Sequence, residues 1–133
     1  FGQDRLALHL PESAQQAGQN TSYNMGILSI VSGDYATAIS NMSSKNCAYN
    51  LALAQLLNKD PKKALSTLDC IQDKDANTYY LMAIAGARMN DNNILITNLK
   101  KAIQMDSSLR KQAENDREFI KFFENDDFKG LVK

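Results

Sequence analysis

From Ser22 onward, apolar residues recur three and four places apart in short runs broken by polar pairs, which is the period of amphipathic helices. Strand-like alternation occurs only at Leu6, Leu8 and Leu10, where Pro11 cuts it short. The pattern therefore predicts an all-α chain of short helices. Three segments can be laid over one another: YNMGILSIVSGDYATAISNM (23–42), YNLALAQLLNKDPKKALSTL (49–68) and YLMAIAGARMNDNNILITNL (80–99). Each opens on Tyr, has a small residue three places on (Gly26, Ala52, Ala83) and has Asp eleven places after the Tyr (Asp34, Asp60, Asp91). Each closes on a paired apolar spacing: Ala38, Ile39 and Met42, then Ala64, Leu65 and Leu68, then Leu95, Ile96 and Leu99.

These positions have physical roles in a helical hairpin. Asp is a strong N-cap, because its carboxylate accepts a hydrogen bond from an otherwise unpaired amide of the first turn. Gly33, Lys59 and Asn90 precede the three aspartates and occupy the tight turn; Gly and Asn tolerate left-handed backbone angles, Lys less readily. Pro61 suits a first helical turn, where no amide donor is needed. The small residues Gly26, Ala52 and Ala83 mark close helix crossings, which explains a glycine kept inside an apolar helix despite a cost of about 1 kcal/mol relative to alanine.

The run YNMG...GDY..AI..M resembles the tetratricopeptide repeat, which has a small residue in its first helix, Gly-Asp-Tyr at the turn and Ala in its second helix. The resemblance covers about 19–108 and is best over 77–107, where Ala102 and Asp106 continue it through a full second helix. Spacing departs from the family: Tyr23 to Tyr49 is 26 residues and Tyr49 to Tyr80 is 31, against a period of about 34. The second helix of the first repeat is expected to be short by about two turns. Three degenerate hairpins over 22–108 would then form an α-α superhelix, preceded by an N-terminal segment, 1–21, and closed by capping helices over 109–133. In that cap Ser107 or Ser108 starts one helix, Asn115 or Asp116 starts a second carrying Phe119, Phe122 and Phe123, and Asp126 starts a last turn with Phe128 and Leu131. The twin stretches ENDREF and ENDDF resemble the closing segment of bacterial tetratricopeptide proteins, and the run from Tyr23 to the C-terminus resembles such regions in Gram-negative cell-envelope proteins. That resemblance implies a periplasmic or envelope location, with the cytoplasm as the alternative.

At 133 residues, a single domain is expected. Lys plus Arg is 15 and Asp plus Glu is 15, so no net positive field exists to collect phosphates, and nucleic acid is not an expected partner. No apolar run reaches the roughly 18 residues of a membrane span, and no membrane insertion is expected. The chain begins on Phe1 and reads as a mature or excised piece of a longer protein. Only Asp4, Arg5, Glu12, Asp34 and Lys45 are charged among residues 1–58. Either uncharged polar residues solvate that part, or another portion of the protein covers it.

Catalytic chemistry has little to work with. His9 is the only histidine, beside Pro11 and far in sequence from either cysteine, and no third group orients it. Cys47 and Cys70 have no neighbouring ligand pair of the structural-zinc kind, and the acidic residues of the tail lack the alternating loop and glycine of a calcium hand. No cofactor, metal or catalytic residue is therefore expected. If the second hairpin turns at Asn58 and Lys59, Cys47 and Cys70 lie opposite one another, where either a disulfide or two buried free thiols would fit.

In the tetratricopeptide family, first helices line the concave face. The matching positions are Tyr23, Ile27, Ile30 and Val31; Tyr49, Leu53, Leu56 and Leu57; and Tyr80, Ile84, Ala87 and Arg88. With Asn50, they form a candidate partner-binding groove for a protein, a peptide or another domain of the same chain, unless the stripe is ordinary core. A clamp for an acidic C-terminal tail is not expected, because only Asn50 matches among Tyr23, Ile27, Asn50, Asn77 and Leu81.

Overall fold

A computed structural model describes Met25, residues 29–42 and residues 46–133, and among these every regular element is helical. Tyr23, Gly26 and Ile27, His9, and the run Leu6, Leu8 and Leu10 lie outside the described residues. Residues 29–32 are helical and are followed by α1 (Tyr35–Met42), α2 (Tyr49–Leu57), α3 (Pro61–Asp69), α4 (Ala76–Arg88), α5 (Asn92–Met105), α6 (Ser108–Glu114), a 3-10 helix (Arg117–Phe122) and α7 (Asp126–Val132). They divide into two compact units, one ending at Ile71 and the other running Gln72–Lys133.

In the first unit, the apolar spacing of α1 buries Ala38 and Met42 against Leu51 and Ala54 of α2, with Ile30 in the same cluster and Tyr35, Ile39, Ala48 and Leu57 around it. Helix α2 also packs on α3, which turns Ala64, Thr67 and Leu68 inward. A buried hydrogen bond joins the two helices, with the Thr67 hydroxyl donating to Gln55 Oε1 at 2.6 Å. Gln55 would otherwise carry an unpaired amide oxygen into the interior, which costs about 1–3 kcal/mol.

In the second unit, α4 is buried on nearly all sides from Tyr80 to Ala87, which is the behaviour of a helix without a continuous polar face. Helix α5 lies along it and buries Leu95, Asn98, Leu99, Ala102 and Ile103, a stripe at helical spacing. The helices lie close together at Gly86, where a Cβ would stand 2.7 Å from both the Leu95 amide nitrogen and Ile94 Cγ2. Aromatic rings fill the C-terminal part: Phe119 meets Tyr80 edge-on at 5.6 Å between centroids, and Phe128 lies 5.6 Å from Phe119 and 5.9 Å from Phe123.

Helix α1 has 8 residues, α3 has 9 and α5 has 14. The C-terminal starts differ in detail from expectation. Asp116 caps its segment as expected, but that segment winds as a 3-10 helix. Asn125, not Asp126, caps α7 by accepting from the Phe128 amide. Ser107, one of the two expected starts, stands at the N-cap position of α6 without a side-chain cap bond, and Asp106 accepts from both the amide and the hydroxyl of Ser108.

Candidate functional site

Three turns share one construction. In each, a residue at positive φ ends a helix: Gly33 at 87°, Lys59 at 65° and Asn90 at 57°. Its amide donates three residues back, to the carbonyls of Ile30, Leu56 and Ala87, at 3.0 to 3.1 Å. The next residue is the aspartate, and its amide donates five residues back, to Ser29, Gln55 and Gly86, at 2.8 to 2.9 Å. This pair of bonds is the Schellman motif, which satisfies the orphan carbonyls of a helix end. The same aspartates then cap the following helices, with Oδ1 accepting from the amides of Thr37, Lys63 and Ile94 at 3.3, 3.2 and 3.1 Å. One residue thus closes one helix and opens the next.

Along the first-helix faces, the candidate groove residues occupy quite different environments. In the first unit Ile30 is buried, Asn50, Leu53 and Leu56 are completely buried, and Tyr49 is half-buried. In the second unit Ile84 is completely buried and Tyr80 is buried. Side chains without accessible surface cannot meet a partner while the fold is intact. Arg88 remains at the surface, but its guanidinium is engaged: Nε and Nη2 donate to Glu118 Oε1 and Oε2 at 2.9 and 2.8 Å, a forked pair in which Glu118 is largely buried. Of the clamp-equivalent positions, Asn77 is exposed and Leu81 is buried.

Tyr80 and Arg88 belong to one polar clasp between α4 and the 3-10 helix. The Tyr80 hydroxyl donates to Asp116 Oδ2 at 2.8 Å. Asp116, itself buried, accepts the Glu118 amide on Oδ1 at 3.0 Å and so starts the 3-10 helix that presents Glu118 to Arg88. Asp116, Glu118 and Gly86 were not among the expected site residues. The partners lie 30 and 36 residues apart, and no local period in the sequence links them.

The open end of the second hairpin is closed covalently. Cys47, just before α2, and Cys70, the C-cap of α3, form a disulfide with Cα atoms 5.4 Å apart, which selects the bridge over two free thiols. Both cysteines are exposed. Among the described residues, no group of three or more His, Cys, Asp or Glu side chains is placed to hold a metal ion, and no helix is long and apolar enough to cross a membrane. Comparison with protein-family models, with curated proteins and with solved structures gives no match.

Proposed function

We propose that the chain is a tetratricopeptide-like helical-repeat module with a non-enzymatic, protein-binding role, serving as a scaffold or spacer within a larger envelope protein. The observation that carries the repeat reading is the threefold recurrence of one turn device at Gly33-Asp34, Lys59-Asp60 and Asn90-Asp91. Helices joined this way stack as hairpins, and stacked hairpins build the α-α superhelix of the family.

Between an open peptide groove and a groove occupied by the protein's own chain, burial favours the second. Leu53, Leu56 and Ile84 present no surface, Tyr80 is hydrogen-bonded inside, and Arg88 is paired. Partners, whether proteins or neighbouring domains, then meet the outer surfaces of the hairpins. A periplasmic or envelope location is supported by the Cys47–Cys70 bridge, because disulfides persist in oxidising compartments.

The test is to replace Tyr49 and Tyr80 by Ala, separately. Thermal stability and association with the rest of the parent protein are then measured on the same samples. A self-filled groove predicts that Tyr80→Ala lowers stability and that association falls only as far as folding does. Lost association in a variant that keeps its thermal midpoint would restore the open groove.

A further inference from the structure

The Cys47–Cys70 bridge occupies a place where most of the other described helix starts use a capping side chain. Asp60, Asp75, Asp91, Asp116 and Asn125 each accept a bond from a first-turn amide. Helix α2 starts at Ala48 with no side-chain cap, and Cys47 immediately precedes it. The bridge ties that start to the C-cap of α3 across 23 positions of sequence, enclosing the whole hairpin. Both sulfur-bearing residues are exposed, whereas the interior of the hairpin at Ala52, Leu53 and Leu56 is completely buried.

We propose that this bridge is a thiol–disulfide exchange site open to a solvent-borne thiol, and that its opening frees the start of α2 while the turn at 58–60 stays closed. The two sulfurs are not equivalent. Cys47 lies at the positive end of the α2 dipole, which favours a departing thiolate. Cys70 lies at the carbonyl end of α3, with the Thr67 carbonyl oxygen 3.1 Å from its Sγ, a surrounding that disfavours an anion and suits a neutral thiol. Exchange is faster when the better leaving group departs, so the incoming thiolate attacks Cys70 Sγ. The new sulfur–sulfur bond forms there, the Cys47–Cys70 bond breaks, and Cys47 leaves with the electron pair and takes a proton from water. A second thiolate attacks the incoming thiol's sulfur in the mixed disulfide, and Cys70 departs as a thiolate that takes a proton from water. The protein bridge gains two electrons, and two thiol molecules are oxidised to their own disulfide.

The consequence is local. With the bridge open, the start of α2 loses its cross-link to α3 and keeps only its packing and hydrogen bonds, whereas the turn retains the amide bonds of Lys59 and Asp60 to Leu56 and Gln55.

The experiment uses the full chain with reduced glutathione at neutral pH, trapping free thiols with iodoacetamide. Tryptic cleavage at Lys59, Lys62 and Lys63 separates the two cysteines for mass analysis. Expected first is a glutathionyl group on Cys70 and an alkylated Cys47, with deuterium uptake over 49–53 rising about tenfold or more and uptake at Lys59 and Asp60 unchanged. The Cys47→Ser/Cys70→Ser variant is expected to show the same uptake pattern without any thiol, separating loss of the bridge from the bulk of the adduct. The proposal is overturned by an adduct on Cys47 first, by a bridge that resists glutathione until the chain unfolds, by unchanged uptake over 49–53, or by uptake that rises throughout the hairpin in either sample.

Discussion

Replacing Gly86 by Ala adds one methyl group where α4 and α5 leave no room for a Cβ, and its effect can be worked from the geometry. The new Cβ would stand 2.7 Å from the Leu95 amide nitrogen, where ordinary contact begins at 3.4 Å, so about 0.7 Å must be found (3.4 minus 2.7). Ile94 Cγ2, also at 2.7 Å, belongs to a side chain that can turn; the Leu95 nitrogen cannot, since its amide donates to the Asp91 carbonyl in the first turn of α5. The Gly86 carbonyl accepts the Asp91 amide at 2.8 Å, so moving the helices apart also strains the turn. Overpacking of this kind costs about 1–3 kcal/mol, and a backbone contact places it in the upper half of that range. Alanine recovers about 1 kcal/mol of helix propensity, leaving a net loss of about 1–2 kcal/mol. At this chain length that lowers the thermal midpoint by roughly 3–10 °C. Gly130→Ala is the control, since Gly130 lies in α7 of the same unit with nothing within 4 Å of a built Cβ, and it is expected to gain up to about 1 kcal/mol. Thermal and urea unfolding of both variants beside the parent decides the matter. If Gly86→Ala matches or exceeds the parent, the helices do not approach as described and the packing argument fails.

Tyr80→Phe removes a donor from the buried Asp116 carboxylate and is expected to cost about 1–3 kcal/mol in a urea titration; a change of a few tenths would mean that the clasp contributes nothing net. Lys59→Gly relieves a non-glycine residue at φ 65° and is expected to raise stability by up to about 1 kcal/mol, while Gly33→Ala, at φ 87°, is expected to lose about as much. If the two substitutions shift the thermal midpoint in the same direction, left-handed geometry is not what governs these turns.

What could be read from the sequence was local. Each turn consists of a residue that accepts positive φ followed by an aspartate, and both bonds of the Schellman motif and the cap are made within a few residues, so spacing alone places them. The cysteine pairing was legible for the same reason, as the two-fold symmetry of a hairpin about Asn58 and Lys59 leaves alternatives only in redox state. What escaped is contact between distant positions. Arg88 looks like a groove cation until Glu118 is placed beside it, and Tyr80 looks like a rim aromatic until Asp116 accepts its hydroxyl. An apolar stripe on a first helix has the same period whether it faces a ligand or a core, and Leu53, Leu56 and Ile84 were ambiguous on that ground. Asn125 outranks Asp126 as a cap because Asn125 is the residue in extended backbone immediately before α7, a choice of one position that composition does not make.

Because a single aspartate ends one helix and begins the next, the turns hold no spare residue. From each Tyr to its Asp the count is eleven in all three aligned segments of the sequence, whereas from Asp34 to Tyr49 it is 15 and from Asp60 to Tyr80 it is 20. Among the three segments, chain length differs only on the side away from the turns, in second helices and the links that follow them. A protein engineer can take the same instruction: a tag or binding loop belongs between Ile71 and Asp75, where the hairpins differ in length, and a single residue inserted at Asn90-Asp91 would throw the capping aspartate out of step with both helices it serves.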